Sequence, residues 1–256
     1  KAEHGLSFYI ENMEHIFMSD IGKSGNFADN AEVLGINLSQ VEALVISHHH
    51  YDHGGGLSRF FKENDQARVY LRQVGDAAFI AENMDKSIRS IGLDKQVLLK
   101  HEDQVEMVTD TQEVLPGLHL VTDIPKQYPK PSGDRRLKVS TGNQMRPDPF
   151  DHEMITVLEQ ENGVVILTGC AHNGVLNMIA GTRKALPNKK ILAVVGGFHL
   201  NHEKESDVRA VGEALLEADI PVIYTGHCTG DEATGVLADV LGDRLYPLFT
   251  GLVMEF

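Results

Sequence analysis

Four times along this chain, a short apolar run leads directly into a group that contains histidine. The runs are residues 43–47, 164–168, 191–195 and 222–225, and the histidines that follow them are His48, His50, His53, His172, His199 and His227. A short apolar run bounded by turn residues is consistent with a buried strand. Because sites in α/β proteins assemble at the carboxyl ends of strands, we expect these histidines to lie close together. The pattern therefore predicts an α/β fold with a site at its strand ends.

The first group, Ser47-His48-His49-His50-Tyr51-Asp52-His53, has the composition of a metal-binding segment. Imidazole and carboxylate groups bind zinc and other divalent transition metals. In an extended segment His48, His50 and Asp52 lie on one side, since successive side chains alternate. A turn at Gly54-Gly55-Gly56 would bring His53 to them. The segment then supplies two pairs of ligands, enough for two metal ions. The alternative, a histidine-rich surface patch, is disfavoured by the apolar strand before it.

Three later groups repeat this layout: Gly169-Cys170-Ala171-His172, Gly196-Gly197-Phe198-His199 and Gly226-His227-Cys228-Thr229. Any one of these histidines, taken alone, could be a hydrogen-bonded core residue. Together with the first group they favour His172 and His227 as further metal ligands. His199 is predicted to contact the substrate or support a ligand, with direct ligation as the alternative. Thr229 and Glu232 have the spacing of a capping box, which predicts an anion-attracting helix N-terminus beside His227. Thr229 is therefore also predicted to contact the substrate.

The remaining sequence predicts strands that alternate with helices. In the first half we expect strands at residues 6–10, 15–19, 68–71, 96–100, 104–108 and 118–122 and helices at 27–34, 57–63 and 77–91. In the second half we expect strands at 154–159, 164–168, 191–195 and 222–225 and helices at 175–186, 206–218 and 231–241. Such alternation implies sheets covered by helices. The three strands between residues 96 and 122 follow one another as an antiparallel meander, so mixed sheets are expected.

Residues 123–150 hold five of the nine prolines together with Gly133 and Gly142, so they are predicted to lack regular structure. The segment carries Lys126, Lys130, Arg135, Arg136, Lys138 and Arg146 against Asp123, Asp134 and Asp148, six charges minus three, or +3. One interpretation is a loop that closes over an anionic substrate such as a phosphate ester or pyrophosphate. The residues of this loop that would contact the substrate are Lys126, Lys130, Arg135, Arg136 and Arg146. The other interpretation is a solvated surface loop.

Charge and cysteine content narrow the classes of function. A net charge of −14 disfavours binding to nucleic acids and to anionic membranes. No apolar run is long enough to span a bilayer, and no signal peptide is visible, although a start at Lys1 leaves a removed leader open. Two cysteines in 256 residues exclude a disulfide scaffold and favour a reducing cytoplasm. We therefore expect a cytoplasmic protein that acts on a small molecule, with its oligomeric state left open.

The spacing His48-x-His50-x-Asp52-His53 resembles the signature of the metallo-β-lactamase superfamily. Further segments are similar to its 7,8-dihydropterin-6-methyl-4-(β-D-ribofuranosyl)aminobenzene-5′-phosphate synthase or metal-dependent hydrolase subgroup: Glu3-His4-Gly5-Leu6-Ser7, Asn30-Ala31-Glu32, Thr168-Gly169-Cys170-Ala171-His172, Gly196-Gly197-Phe198-His199-Leu200 and His227-Cys228-Thr229-Gly230. The resemblance implies a single domain folded as a four-layer αββα sandwich with two mixed sheets. Its two ββα halves would be residues 1–122 and 151–256, around the loop 123–150. It also implies a further strand before Glu3, which leaves open whether the natural start of the chain is missing.

The resemblance implies one or two divalent metal ions, with zinc favoured and iron or manganese as alternatives. We expect His48, His50 and His172 to hold one metal, and Asp52, His53 and His227 the other. Cys170 stands where most of the superfamily has a bridging aspartate, so it would bridge two metals, bind one or line the site. His152 lies near where other members carry a third histidine, and we rank it below His172.

These features together predict a metal-dependent hydrolase or transferase that acts on a small anionic, phosphorylated or pyrophosphorylated and pterin-like substrate. Asp52 is assigned as a ligand or a proton acceptor, with the orientation of a histidine as its alternative role. His199 would donate a proton to the substrate or leaving group. The other histidines are assigned to the surface or to structural contacts; they are His4, His15, His49, His101, His119 and His202. A non-hydrolytic iron protein with a redox or sensor role is the alternative function.

Overall fold

The computed structural model of the protein describes residues 1–142 and 144–256. These residues form two units. Unit 1 contains Lys1–Thr109 and Asp134–Glu153, and unit 2 contains Asp110–Gly133 and Met154–Phe256. The chain therefore enters unit 2 at Asp110, returns to unit 1 at Asp134 and ends in unit 2.

Unit 1 is built on a five-stranded sheet. Its strands are β1 (Ser7–Asn12), β2 (His15–Ile21), β3 (Ala43–Val45), β4 (Arg68–Arg72) and β7 (Val105–Val108), in that spatial order. β1 and β2 are antiparallel, and the other three pairs are parallel. The helices of this unit are α1 (Asn26–Leu34), the short α2 (Tyr51–Gly54), α3 (Leu57–Glu63) and α4 (Lys95–Lys100). Phe27, Phe60 and Leu98 from three of these helices join the strand residue Leu44 in one apolar core. Burial of each such side chain stabilises the unit by ~1.5–3 kcal/mol.

A second, four-stranded sheet in unit 1 corrects two predictions. Its strands are β5 (Ala78–Glu82), β6 (Ile88–Ser90), β10 (Leu137–Thr141) and β11 (Gln144–Pro147), in the order β11-β10-β5-β6, with all pairs antiparallel. The predicted helix at residues 77–91 is wrong, because Phe79 and Ala81 alternate into an apolar cluster with Ile91 and Val139. The prediction that residues 123–150 lack regular structure is wrong for Ser132–Arg136, which form a 3-10 helix, and for Leu137–Thr141 and Gln144–Pro147, because β10 pairs with both β5 and β11.

The predicted meander between residues 96 and 122 is also corrected. Residues 95–100 form α4 instead of a strand, and Asp94 caps this helix by accepting a hydrogen bond from the Gln96 N–H. β7 is present as predicted, but it lies parallel to β4 in unit 1. The strand predicted at 118–122 is present in unit 2, where it pairs with β8 (Gln112–Leu115), which sequence reasoning missed.

Unit 2 is built on a seven-stranded mixed sheet. Its strands are β8, β9 (Leu118–Val121), β12 (Ile155–Gln160), β13 (Gly163–Leu167), β14 (Ile191–Gly196), β15 (Val222–Thr225) and β16 (Leu245–Pro247), in the order β16-β15-β14-β13-β12-β9-β8. Pairs from β13 to β16 are parallel and the rest antiparallel. The helices α5 (Val175–Ala185), α6 (Glu205–Glu217) and α7 (Asp231–Leu241) share a core with this sheet. None of the described helices is long and apolar enough to cross a membrane.

The parallel part of this sheet places the histidine groups of unit 2. β13, β14 and β15 are neighbours in parallel register, so their carboxyl ends lie at the same sheet edge. The groups that follow them, residues 169–172, 197–199 and 226–229, are therefore brought together as the sequence predicts. In unit 1, β3 leads in the same way into His48.

Candidate metal centre

A buried carboxylate organises the histidines of unit 1. Asp20, near the end of β2, accepts hydrogen bonds from the Ser47 N–H (2.8 Å) and the Ser47 hydroxyl (2.8 Å). It also lies 2.6 Å from His53 Nδ1. Asp20 is buried and has a φ of 57°, in the left-handed region. Strain of this kind is concentrated at functional sites.

The contacts of Asp20 set the orientation of two imidazoles. His53 Nδ1 donates to Asp20, which directs Nε2 toward Asp52, whose Oδ2 lies 3.7 Å away. Because the Ser47 hydroxyl donates to Asp20, it accepts from His48 Nδ1 (2.9 Å). His48 Nε2 then lies 3.1 Å from His50 Nδ1. An imidazole whose second nitrogen is held by a carboxylate or hydroxyl is the usual arrangement of a metal-binding histidine.

The turn after His50 requires glycine because a side chain would not fit, and not because of the backbone conformation. α2 begins at Tyr51 and turns the chain, so that Asp52 and His53 lie beside His48. Gly55 has a φ of −63°, which any residue adopts. A Cβ atom there would lie 2.3 Å from the Lys23 carbonyl oxygen. Close packing of two backbone segments therefore requires this glycine.

His49 and His152 have contacts that explain why neither is a leading ligand candidate. His49 Nε2 donates to the Arg72 carbonyl oxygen (2.7 Å), and burial of the ring, with His152 nearby, lowers the pKa of His49 to about 4. His152 Nδ1 accepts from the His49 N–H (3.1 Å), so its Nε2 donates to Asp148 (3.1 Å). Asp148 and His152 nevertheless lie close to His50, since one ligand atom from each of the three is within 4.8 Å of the others.

The N-terminal segment reaches the same cluster. His4 Nε2 lies 3.3 Å from Asp52 Oδ2, while most of the His4 side chain is exposed. Glu3 fixes this segment by accepting hydrogen bonds from the Lys23 and Ser24 N–H groups. Gly5 has a φ of 144°, and a Cβ atom there would lie 2.3 Å from the Asp52 carbonyl oxygen. His4, which was assigned to the surface or to a structural contact, therefore also contacts Asp52, a predicted metal ligand.

Unit 2 collects two thiols and three imidazoles at the ends of β13, β14 and β15. Cys170 Sγ lies 3.4 Å from His227 Nε2, and the rings of His172 and His199 are 4.4 Å apart. Cys228 Sγ donates to the Cys170 carbonyl oxygen at 3.7 Å. Burial alone would raise the pKa of the Cys228 thiol. A hydrogen bond with Cys170 and the charges of His227 and His199 outweigh burial and lower this pKa well below its usual value.

Threonines join the three strand ends beneath this cluster. The Thr168 hydroxyl donates to the Gly197 carbonyl oxygen (3.2 Å), and the Thr225 hydroxyl donates to that of Gly196 (2.9 Å). The Phe198 N–H donates to Thr229 Oγ1 (3.0 Å), which also lies 2.6 Å from Thr225 Oγ1. Thr229 is thus buried and hydrogen-bonded within the fold, and its contact with substrate stays a prediction. The predicted capping box is also wrong, because α7 begins after Gly230 without a side-chain cap.

The basic residues predicted to contact substrate are divided between the units. Lys126 and Lys130 belong to unit 2, while Arg135, Arg136 and Arg146 belong to unit 1. All except the half-buried Lys130 are exposed. The stretch before Gly133 is fixed, because Asn177 accepts hydrogen bonds from the Gln127 and Tyr128 N–H groups (2.9 and 2.8 Å). Their contact with substrate, and the closing of this segment, stay predictions.

The amino-acid pattern of the metallo-beta-lactamase superfamily matches residues 2–227 of this chain. The chain belongs to the metallo-β-lactamase superfamily. A relative from Methanocaldococcus jannaschii, 7,8-dihydropterin-6-methyl-4-(beta-D-ribofuranosyl)-aminobenzene-5′-phosphate synthase, is 25% identical, and the match covers 100% of this chain and 90% of the relative. An uncharacterised protein of the same organism is 24% identical, over 93% of this chain and 89% of its own.

A solved structure has the same fold. Tm1679, a metal-dependent hydrolase of the beta-lactamase superfamily, superposes with a TM-score of 0.86 at 27% identity, covering 100% of this chain and 93% of that chain. The predicted membership of the metallo-β-lactamase superfamily, the resemblance to the dihydropterin synthase subgroup and the fold class are thereby confirmed.

The donor groups of this superfamily member fit divalent metals of the transition series. Imidazole and carboxylate groups in unit 1 and imidazole and thiol groups in unit 2 are the ligands that zinc and iron prefer. The carboxylate and hydroxyl partners of His48 and His53 hold these rings in the orientation that metal binding requires. A divalent metal is therefore consistent with the residues present.

Sequence reasoning missed three residues of the candidate site. They are Asp20, Asp148 and Cys228. The signal for Asp20 was its place at the end of an apolar strand next to the one that leads into His48. The signal for Cys228 was its position beside His227.

Proposed function

We propose that this protein is a metal-dependent enzyme, a hydrolase or a transferase, that acts on a small anionic substrate. The observation that carries the proposal is the buried Asp20, which orients both His53 and, through Ser47, His48. The buried imidazoles of His48, His50 and His53 lie next to one another, and the partners of His48 and His53 are of the kind that orient metal-binding histidines. Membership of a superfamily that typically binds divalent metals supports the same function.

The proposed ligands are those predicted from the sequence. His48, His50 and His172 would hold one metal ion, and Asp52, His53 and His227 the other, with zinc favoured over iron and manganese. Bound there, a divalent metal would supply Lewis acidity toward a phosphoryl or carbonyl oxygen.

The protein's own side chains would move protons and bind charge. Asp52, with its oxygen close to His53 Nε2, would accept a proton if it does not ligate metal. His199 would donate a proton to the leaving group. Lys126, Lys130, Arg135, Arg136 and Arg146 would attract an anionic substrate.

The proposed substrate is phosphorylated or pyrophosphorylated and pterin-like. Support comes from the relative whose name is that of a dihydropterin 5′-phosphate synthase, together with the basic residues between 126 and 146. Hydrolysis would transfer the phosphoryl group or acyl group to water, whereas a transferase would release pyrophosphate on joining two substrates. We place the protein in a reducing compartment such as the cytoplasm, in keeping with two cysteines that form no disulfide.

The test begins with protein purified without chelators. Bound metal is measured by elemental analysis, and turnover is measured with phosphodiesters, lactones, thioesters and pterin pyrophosphates. We expect metal-dependent turnover of an anionic substrate. His50→Ala and His227→Ala should each lose bound metal and turnover together.

The matched controls are His15→Gln in unit 1 and His202→Gln in unit 2, both of histidines outside the candidate site. These variants should keep wild-type metal content and turnover. The proposal fails if the His50 and His227 variants also keep both. Bound iron with redox activity, and without turnover of any substrate in the panel, would favour the redox or sensor alternative.

A further inference from the structure

Two buried thiols of unit 2, those of Cys170 and Cys228, lie close together. Cys170 follows β13 and Cys228 follows β15, and both are almost fully buried. Ligand atoms of Cys170, His199 and Cys228 all lie within 4.8 Å of one another. Neither thiol forms a disulfide. The three residues thus bring two sulfur donors and one nitrogen donor to the same point.

A glycine makes room for the second thiol. A Cβ atom at Gly197 would lie 2.5 Å from Cys228 Sγ and 2.8 Å from the Gly169 carbonyl oxygen. Gly197 is not among the glycines with positive φ, so its backbone conformation is open to other residues. Space, and not conformation, therefore requires glycine here. The strand end after β14 is shaped around the sulfur atom of Cys228.

The backbone beside the donors is strained. Ala171, His199 and His227 have φ values of 52°, 51° and 54°, in the left-handed region that residues with a Cβ atom seldom adopt. Such a conformation costs free energy and persists only where the surrounding structure holds it. Ordinary packing of two cysteines in a core has no need for this cost. A fixed arrangement of donor atoms around a ligand would account for it.

The spacing of the donors suits a soft divalent metal. Tetrahedral zinc with sulfur at ~2.3 Å and nitrogen at ~2.0–2.1 Å places its ligand atoms ~3.6–3.8 Å apart. The ligand atoms of Cys170, His199 and Cys228 lie within 4.8 Å of one another, so each pair is at most about 1 Å farther apart than the ligands of a zinc site. Cys170 Sγ and His227 Nε2, at 3.4 Å, are already as close as two ligands of one metal. Two sulfurs and one nitrogen also leave a fourth position open.

We infer that Cys170, His199 and Cys228 form a metal site that selects thiophilic divalent metals such as zinc, cobalt or cadmium over magnesium and manganese. Both thiols release their protons to solvent when the metal binds. The inference goes beyond the proposed function, because it adds Cys228 as a ligand. It also assigns His199 to metal ligation, the alternative to its proposed role as a proton donor, whatever reaction the protein performs.

The test is the absorption spectrum of the whole protein loaded with cobalt(II). Thiolate ligands of cobalt give intense charge-transfer absorption in the near ultraviolet, which nitrogen and oxygen ligands do not. We expect this absorption in the wild type and its reduction to about half in Cys228→Ser and in Cys170→Ser, since each removes one of two sulfur ligands. The control His202→Gln, which changes an exposed histidine near this cluster, should leave the spectrum unchanged.

X-ray absorption at the zinc edge of the wild type covers the case in which a cysteine variant does not fold. It should show sulfur ligands at ~2.3 Å. The inference is overturned if cobalt binds without charge-transfer absorption, if Cys228→Ser keeps the full wild-type absorption, or if mass spectrometry of freshly purified protein finds the two cysteines joined as a disulfide. An intact cobalt–sulfur spectrum in protein without turnover would count against the proposed function alone.

Discussion

Asp20 shows how a single buried carboxylate fixes the chemistry of its neighbours. It accepts from a backbone N–H, a hydroxyl and an imidazole, so its negative charge is hydrogen-bonded in the interior. Through these contacts it determines which nitrogen of His53 carries the proton and, by way of Ser47, which nitrogen of His48 does. Asp20 therefore controls the donor atoms that two predicted ligands present.

Replacement of Asp20 by asparagine should weaken metal binding by roughly 10- to 100-fold. The amide presents one oxygen in place of two, and its NH2 group faces either the Ser47 N–H or both the Ser47 hydroxyl and His53 Nδ1, each of which is a donor to Asp20. The affinity is measured by competition with a chelator. Asp29→Asn, which changes an exposed carboxylate paired with Lys1, is the control. An unchanged affinity in folded Asp20→Asn protein would show that Asp20 does not orient the ligands.

Gly55 gives a second prediction at this scale. Gly55→Ala should destabilise the protein by ~1–3 kcal/mol or more, because the new methyl group overlaps the Lys23 carbonyl oxygen. Gly235→Ala is the matched control. Gly235 lies in α7, where a Cβ atom meets nothing within 4 Å, so alanine should stabilise by ~0.5–1 kcal/mol. The measurement is the free energy of unfolding in denaturant, and equal effects of the two changes would contradict the close-packing argument.

At the scale of elements, Glu159 on β12 connects its strand to two other parts of unit 2. Its carboxylate binds Lys189, which precedes β14, and lies 3.2 Å from His119 on β9. The hydrogen bond from Lys189 and the one from His119 lower the pKa of Glu159 below its usual value near 4.5, against the opposing effect of burial.

A lowered pKa means that the folded protein binds a proton at Glu159 less readily than the unfolded chain does. The stabilisation is therefore complete above about pH 4.5 and is lost as the pH falls below it. Glu159→Gln should be less stable than wild type at pH 7, by under ~1 kcal/mol since the pair is partly exposed, and the difference should shrink as the pH falls below 4.5. Denaturant unfolding at several pH values checks this. A difference that grows toward low pH would have the wrong sign.

The elements that could be predicted from sequence are those whose pattern of buried residues appears directly as a pattern of apolar residues along the chain. Residues 164–167 and 191–195 form strands of a parallel sheet, so both faces are covered and the sequence is continuously apolar. The hairpin of β5 and β6 could not be predicted in this way. Its residues were predicted to form a helix. They are strands because β5 pairs with β6 and also with β10, more than fifty residues later.

The same distinction holds for the candidate site. His48, His50, Asp52 and His53 are adjacent in sequence, so their spacing alone suggested metal binding. Asp20 acts on Ser47 from 27 residues away, and only the pairing of β2 with β3 relates the two. The helix cap at Thr229 was mispredicted for the opposite reason. A local capping pattern was present, but tertiary contacts with Phe198 and Thr225 took its hydroxyl.

At the scale of the whole molecule, metal removal should change stability as well as activity. A ligand that binds only the folded chain stabilises it by about 2.7 kcal/mol when its free concentration is about 100 times Kd. For a chain of this length that corresponds to a rise in Tm of roughly 5–10 °C. We expect chelator treatment to lower Tm by this amount and zinc to restore it, as measured by calorimetry. A Tm that is indifferent to chelator and zinc would argue against a metal in the folded protein.

The return of the chain to unit 1 at Asp134 has a consequence for biosynthesis. When the ribosome has delivered Thr109, it has made β5 and β6 but not β10, the strand on which β5 pairs, nor Asp148 and His152 beside His50. Unit 1 can be completed only after the first stretch of unit 2 has emerged. Nascent chains stalled before residue 137 should therefore contain residues 48–53 without β10, Asp148 and His152. The N-terminal unit can complete its fold only when the chain is released beyond residue 153.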